Sequence, residues 1–234
     1  MLNLIAASGV FLGLHLLISG TALRGRIVSA IGETPYLGAF SLASIGGITW
    51  LCMAYNATDA VPNRLYWVAP EWVIHVAPVV MLVAFLLALI GLTTPNPTAV
   101  KAEALVDKPD AATGILRVTR HPFLWSVILW SGLHLVLNGD RASVIFFGTY
   151  LLLAALGTLS IDAKRRAQLG ERWTGFAAQT SNLPFAAIFA GRNKLALSEL
   201  GLWRILLGLL AFGAMFYAHL WLFSVPPVPG WTPY

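Results

Sequence analysis

The chain is poor in charge, in cysteine and in buried acid. Only 11% of its 234 residues are charged, against roughly a quarter in soluble domains. That shortage argues against a water-soluble fold. The single cysteine, Cys52, sits in an apolar run, which excludes an intrachain disulfide framework and a Cys-based metal cluster. The apolar runs carry Asp or Glu only at their ends, at Glu71, Asp140 and Asp162. A dinuclear carboxylate centre and a hard-cation site within a bilayer both need inward carboxylates and are therefore disfavoured, as is a proton relay. The first residues, MLNLIAASG, lack a basic n-region. Their apolar run reads as a retained span, not a cleaved signal peptide. The excess of Lys and Arg, 15 against 10 Asp and Glu, reflects loop charge in a membrane protein, so no nucleic-acid partner is expected.

What remains is strongly apolar: 58% hydrophobic residues and a mean hydropathy of +0.75. Apolar segments run over about 2–23, 36–56, 70–93, 121–138, 142–161 and 202–225. They predict an all-α polytopic membrane helix bundle of about six spans, with residues 1–234 as one membrane domain and the lipid bilayer as its main partner. Lipid admits only helices or closed barrels, and no period-2 alternation is present. Residues 94–120, ending in TGILRVTR, predict a cytoplasmic amphipathic helix. Residues 162–201 predict an interfacial or re-entrant segment. Gly9 and Gly13 form a GxxxG pattern, which predicts close helix packing. Of the Lys and Arg residues, only Arg64 and Arg141 lie outside the loops that follow spans one, three and five and the start of span six. The positive-inside rule then places both termini outside and those loops in the cytoplasm, in a bacterial inner membrane. The aromatic segments VPNRLYWVAPEW and PPVPGWTPY suit the outer interface.

Four histidines, His15, His75, His134 and His219, lie within spans, and His121 stands at the mouth of the fourth. A single one could be a neutral packing group. Four in an almost uncharged bundle point instead to a ligand role. Neutral imidazole suits iron, copper or zinc. Haem iron fits best, because one or two imidazoles hold it and its apolar macrocycle suits a bundle in lipid. Gly13, Ser19, Trp130, Ser131 and Gly132 leave room for a flat ring and could line it. His121 and His134 are thirteen positions apart, about 140° around a helix and about 20 Å along it. They cannot share one ion. Arg120, His121 and Pro122 read as a helix start, with His121 capping it or contacting lipid headgroups.

VDKP at 106–109, TGILRVTRHP at 113–122, WSGLH at 130–134 and TSNLPFAAIFAGR at 180–192 together resemble the NnrU family of integral membrane proteins, which includes carotene isomerases. GLHLLISGTALR at 13–24 is similar to the family's first helix. The resemblance implies a haem b whose iron is required in the ferrous state. Its axial ligands would be a first-helix histidine, His15, and a histidine beyond the Arg-His-Pro motif, His134. Trp130 and Ser131 would lie beside the cofactor. Ser131 replaces a family cysteine proposed as an alternative ligand, which argues against a ligand switch here. His15 and His134 enter from opposite ends of their spans and differ in depth by about 5–10 Å. His75 and His219 share a level and stand as reserve ligands.

Four functions follow. The first is a redox-dependent isomerase acting on a hydrophobic, carotenoid-like substrate. The second is a haem sensor or electron-transfer protein, in line with the link of bacterial family members to nitrite and nitric oxide metabolism in denitrification. The third is a methyltransferase built on the Arg-His-Pro motif, using Arg117, Arg120, His121, Pro122 and Arg192. The fourth is a transporter or structural subunit. No oligomeric state follows from the sequence.

Overall fold

A computed structural model describes residues 1–231. Residues 232–234, the end of the aromatic tail, lie outside the described residues. Helix α1 (Leu2–Leu12) passes directly into a π-helical segment, Gly13–Ile18. The chain then bends by 78° into α2 (Leu23–Ile31). Gly20 makes the break possible: a Cβ there would lie 2.0 Å from the Leu16 carbonyl oxygen, so only glycine fits. Helices α3 (Glu33–Asn56), α4 (Glu71–Thr93), α5 (Pro122–Leu137) and α6 (Arg141–Leu169) follow. Short helices α7 (Glu171–Gln179) and α8 (Ala186–Phe189) lead to α9 (Leu202–Phe223). Among the described residues there is no strand, only an isolated bridge between Leu65 and Asp140.

The protein is an all-helical membrane protein. Helices α3, α4, α6 and α9 are long and apolar enough to span a bilayer, and the bent α1–α2 pair raises the number to five. The expected fourth span is α5, which has only 16 residues. At 1.5 Å per residue it reaches about 24 Å, short of a hydrocarbon core of about 30 Å. Helix α6 is the reverse case. Its 29 residues extend about 44 Å, and the polar stretch from Asp162 projects beyond the apolar run at 142–161.

Contacts divide the chain into two compact units that share α5 and α6. The first comprises Met1–Pro70 and Ser131–Gly157, and the second Glu71–Trp130 and Thr158–Tyr234. In the first unit α1 packs on α3, and the close approach is at Gly47, where a Cβ would stand 3.2 Å from the Phe11 ring. Gly9 and Gly13 are not the packing face, since a Cβ at either would touch nothing within 4 Å. In the second unit α4 packs on α9 at Gly208, whose added Cβ would lie 2.9 Å from Leu86. Its core gathers Leu87, Ile90, Ile115, Leu116, Val118, Leu169, Trp173 and Phe176. The segment TGILRVTR is not an amphipathic helix. Its Gly114–Arg117 part forms a 3₁₀ turn, and Ile115, Leu116 and Val118 are all buried. Apolar positions in that spacing serve a core here, not a membrane surface.

Candidate functional site

His15 sits in the π-helical segment, a widened turn that often marks functional sites. Its Nδ1 lies 2.9 Å from the Phe11 carbonyl oxygen. A carbonyl can only accept, so Nδ1 carries a proton, and in the neutral ring the lone pair is on Nε2. A backbone carbonyl on the second nitrogen is the usual way a metal-binding imidazole is oriented. The His15 ring contacts Phe11 at 4.6 Å and Phe40 at 5.2 Å.

His134 lies in the last turn of α5 and belongs to the same unit as His15. Its ring is 5.0 Å from that of Phe147. Ring contacts continue from Phe147 to Phe146 at 5.1 Å, to Tyr150 at 5.2 Å and to Phe11 at 5.9 Å. One chain of aromatic rings thus connects the two histidines. Ser131 is fully buried in this unit. The buried hydroxyls of Ser8, Tyr36 and Ser44, also in this unit, have no hydrogen-bond partner. Tyr36 stacks on Phe40 at 5.8 Å, two ring contacts from His15.

The remaining sequence candidates lie in the second unit. Trp130 lines a cleft of about 170 Å³ with Met81, Phe85 and Ser126. His75 is exposed, 3.8 Å from Glu71 on the preceding turn. His219 Nδ1 is 2.8 Å from the Val225 carbonyl oxygen. Among the described residues no three His, Cys, Asp or Glu side chains gather as a metal site, a number that haem does not require.

The Arg-His-Pro motif forms a buried ionic cluster. His121 is only 3% exposed, so it does not touch headgroups. Its Nε2 is 2.7 Å from Asp162 Oδ1. Arg120 donates to the same carboxylate from Nε, at 2.9 and 3.0 Å, and from Nη2, at 2.6 Å. Its guanidinium also lies 5.7 Å from the Trp173 ring centre. Burial pushes the Asp162 carboxyl up, but hydrogen bonds from His121 and Arg120 outweigh it and hold the group at about 2. Pro122 opens α5 as expected of a first-turn proline.

Backbone pairing joins this motif to TSNLPFAAIFAGR. Arg120 N donates to the Ser181 carbonyl at 3.0 Å and Phe185 N to that of Val118 at 2.8 Å. The Asn182 carbonyl accepts from Thr119 Oγ1 at 2.6 Å and from Trp125 Nε1 at 2.8 Å. Arg192 donates to the carbonyls of Ala177, Ala178 and Thr180 and so closes the C-terminus of α7. Arg117 holds Glu199 through Nε at 2.7 Å and Nη2 at 2.8 Å. Those bonds, with one from Gly114 N–H, keep the Glu199 carboxyl below its usual range. Arg117, Arg120 and Arg192 thus all donate to protein acceptors, and the three anchor one platform. Sequence reasoning missed Asp162 and Glu199, the acids that complete it. The available signal was the position of Asp162, the first acid after an apolar run, in a chain with Arg120 still unpaired.

Comparison with known proteins agrees with the motifs. A 95-residue stretch is 34% identical to the chloroplastic 15-cis-zeta-carotene isomerase of Zea mays, and equally to that of Arabidopsis thaliana. The matched stretch is 39% of this chain and 26% of each relative, so the chain matches only about a quarter of their length. No solved structure matches. The model of the NnrU protein family matches residues 3–227, nearly the whole chain, and the chain belongs to that family.

Proposed function

We propose that the chain is a haem-b membrane protein that isomerises a hydrophobic, polyene-type substrate. The observation that carries the proposal is the His15 imidazole. It is oriented through Nδ1 by a backbone carbonyl, keeps Nε2 for a metal, and shares a compact unit with His134. Those two residues would hold the haem iron, with His75 and His219 in reserve. The unpartnered Tyr36 hydroxyl is a donor available to a polar edge of the cofactor. Ferrous haem supplies a Lewis acid and electron donor able to loosen a conjugated double bond. The protein's own part is to orient His15, to bury Ser131 where a cysteine would offer thiolate, and to keep water out with apolar walls. Similarity to the maize and Arabidopsis isomerases over part of their length supports a substrate of the same class. Both termini would lie outside a bacterial inner membrane, with the Arg117–Arg120–Arg192 platform in the cytoplasm.

The aromatic chain between His15 and His134 favours a second reading, electron transfer or nitric oxide sensing. Spectra of the detergent-purified protein, before and after dithionite, separate the possibilities. We expect b-type α and β bands that disappear in His15→Ala and in His134→Ala. Carbon monoxide should shift the reduced spectrum if a ligand can leave, as isomerase chemistry needs. A reduced spectrum unmoved by carbon monoxide supports electron transfer. A colourless protein from haem-replete cells overturns both readings.

A further inference from the structure

The second unit forms a half-open cavity of about 450 Å³. Its walls come from α4 (Val83, Leu86), from α5 (Trp125, Leu129) and from Ile205 of α9, and Phe185 adds a further face. The one polar atom on these side chains, Trp125 Nε1, is already bonded to the Asn182 carbonyl. A space so lined repels water and accepts an apolar guest. At about 30 Å³ for a water-sized group, the volume holds about 15 such groups, on the scale of one acyl chain. Two of its walls, α4 and α9, are membrane-spanning helices, so lipid is the guest at hand. Phe185 holds a left-handed backbone, φ 64°, a strained state for an aromatic residue. It is fixed there by its N–H bond to Val118, and its ring faces the cavity.

Two cationic residues adjoin lining residues of the cavity in sequence. Arg204 precedes the lining residue Ile205, and its Nη1 would stand 3.3 Å from a Cβ on Gly201, next to the lining residue Leu200. Its guanidinium rests 5.0 Å from the Trp203 ring centre and makes no hydrogen bond among the described residues, and its Nε is shielded from solvent. Lys194, adjacent to the lining residue Leu195, is exposed and in no ion pair among the described residues. The neighbouring Arg117 is occupied by Glu199.

From these features we infer that the cavity binds one acyl chain of an anionic phospholipid, with Arg204 meeting the headgroup phosphate. The inference does not rest on the haem reading, whose first-choice ligands His15 and His134 lie in the other unit. The test reconstitutes the full chain in nanodiscs of phosphatidylcholine doped with either phosphatidylglycerol or phosphatidylcholine whose acyl chains carry bromine. Quenching of Trp125 is read as the difference from Trp125→Phe, and native mass spectrometry counts retained lipid. We expect saturable quenching with about a fivefold preference for phosphatidylglycerol, the effect of one cation near an anionic headgroup. Arg204→Gln should remove the preference. Val83→Phe, at a partly exposed wall position, should remove the retained lipid while leaving haem absorbance unchanged. Equal quenching by both lipids, or a preference unchanged in Arg204→Gln, overturns the headgroup assignment. Lipid retention by Val83→Phe equal to that of wild type overturns the cavity assignment.

Discussion

Asp162→Asn should be among the most damaging single-atom changes in this protein. The Asp162 carboxylate is 14% exposed and serves two cationic or imidazole partners, Arg120 at 11% and His121 at 1%. The amide keeps the shape but removes the charge, and the Arg120 guanidinium is left with Thr180 Oγ1 at 3.4 Å and the Trp173 face. Breaking one side of a buried ion pair costs about 3–5 kcal/mol. At about 2–4 °C per kcal/mol for a chain of this size, Tm should fall by roughly 6–20 °C. The assay is thermal unfolding in detergent, followed by near-ultraviolet signal. Acid provides an internal check. The folded Asp162 carboxyl lies at about 2, below its ordinary 3.8. A depressed carboxyl stabilises the fold above its unfolded value and loses that contribution as pH falls toward the folded one. The window is therefore pH 4 down to 2, and the charge contribution lost is about 2 kcal/mol at 1.36 kcal/mol per unit. The remainder of the Asn penalty is the orphaned guanidinium. The Tm gap between wild type and variant should hold from neutral pH to about 4 and narrow below it. Arg120→Met combined with Asp162→Leu should recover part of the loss, because removing both charges leaves no buried ion unpaired. A gap under 2 °C at neutral pH, or one that stays constant down to pH 2, would refute the reasoning.

Two further substitutions test the packing. Gly91→Ala would place a Cβ 2.8 Å from Pro122 Cγ and 3.1 Å from Phe123 N. It should cost about 1–3 kcal/mol through overpacking at the start of α5, measured as a fall in Tm with no loss of secondary structure. Tyr36→Phe removes a hydroxyl that is buried without a partner. Stability of the haem-free protein should stay level or rise by about 1 kcal/mol, and a clear fall in Tm would reveal an unrecognised partner for that oxygen.

Much of the architecture was legible in the sequence because lipid imposes simple rules. A chain with so few charges and uninterrupted apolar runs must form helices, and α3, α4 and α9 begin and end within a few residues of the runs that predicted them. The break in the first span was less visible. Its cause is the contact of Gly20 with the Leu16 carbonyl, and composition does not distinguish such a glycine from a packing one. Gly9 and Gly13 show the converse, a packing pattern in sequence whose faces turned out open.

At the level of side chains, the sequence alone supplied the candidates: five imidazoles, apolar runs with acids only at their ends, and the motifs of the NnrU family. It also separated His121 from His134, since helical spacing puts them on different faces and at different depths. Only the tertiary structure decided their company. Asp162 lies 41 positions from His121 and could be matched to it only by the folded path of α6. Likewise the aromatic chain leading from Phe11 toward His134 and the apolar cavity are products of packing between distant segments. Local sequence encodes helix and hydropathy, because both depend on neighbours within a few residues. Which buried charge meets which partner depends on long-range closure, and there the burial energy of the whole unit makes the choice.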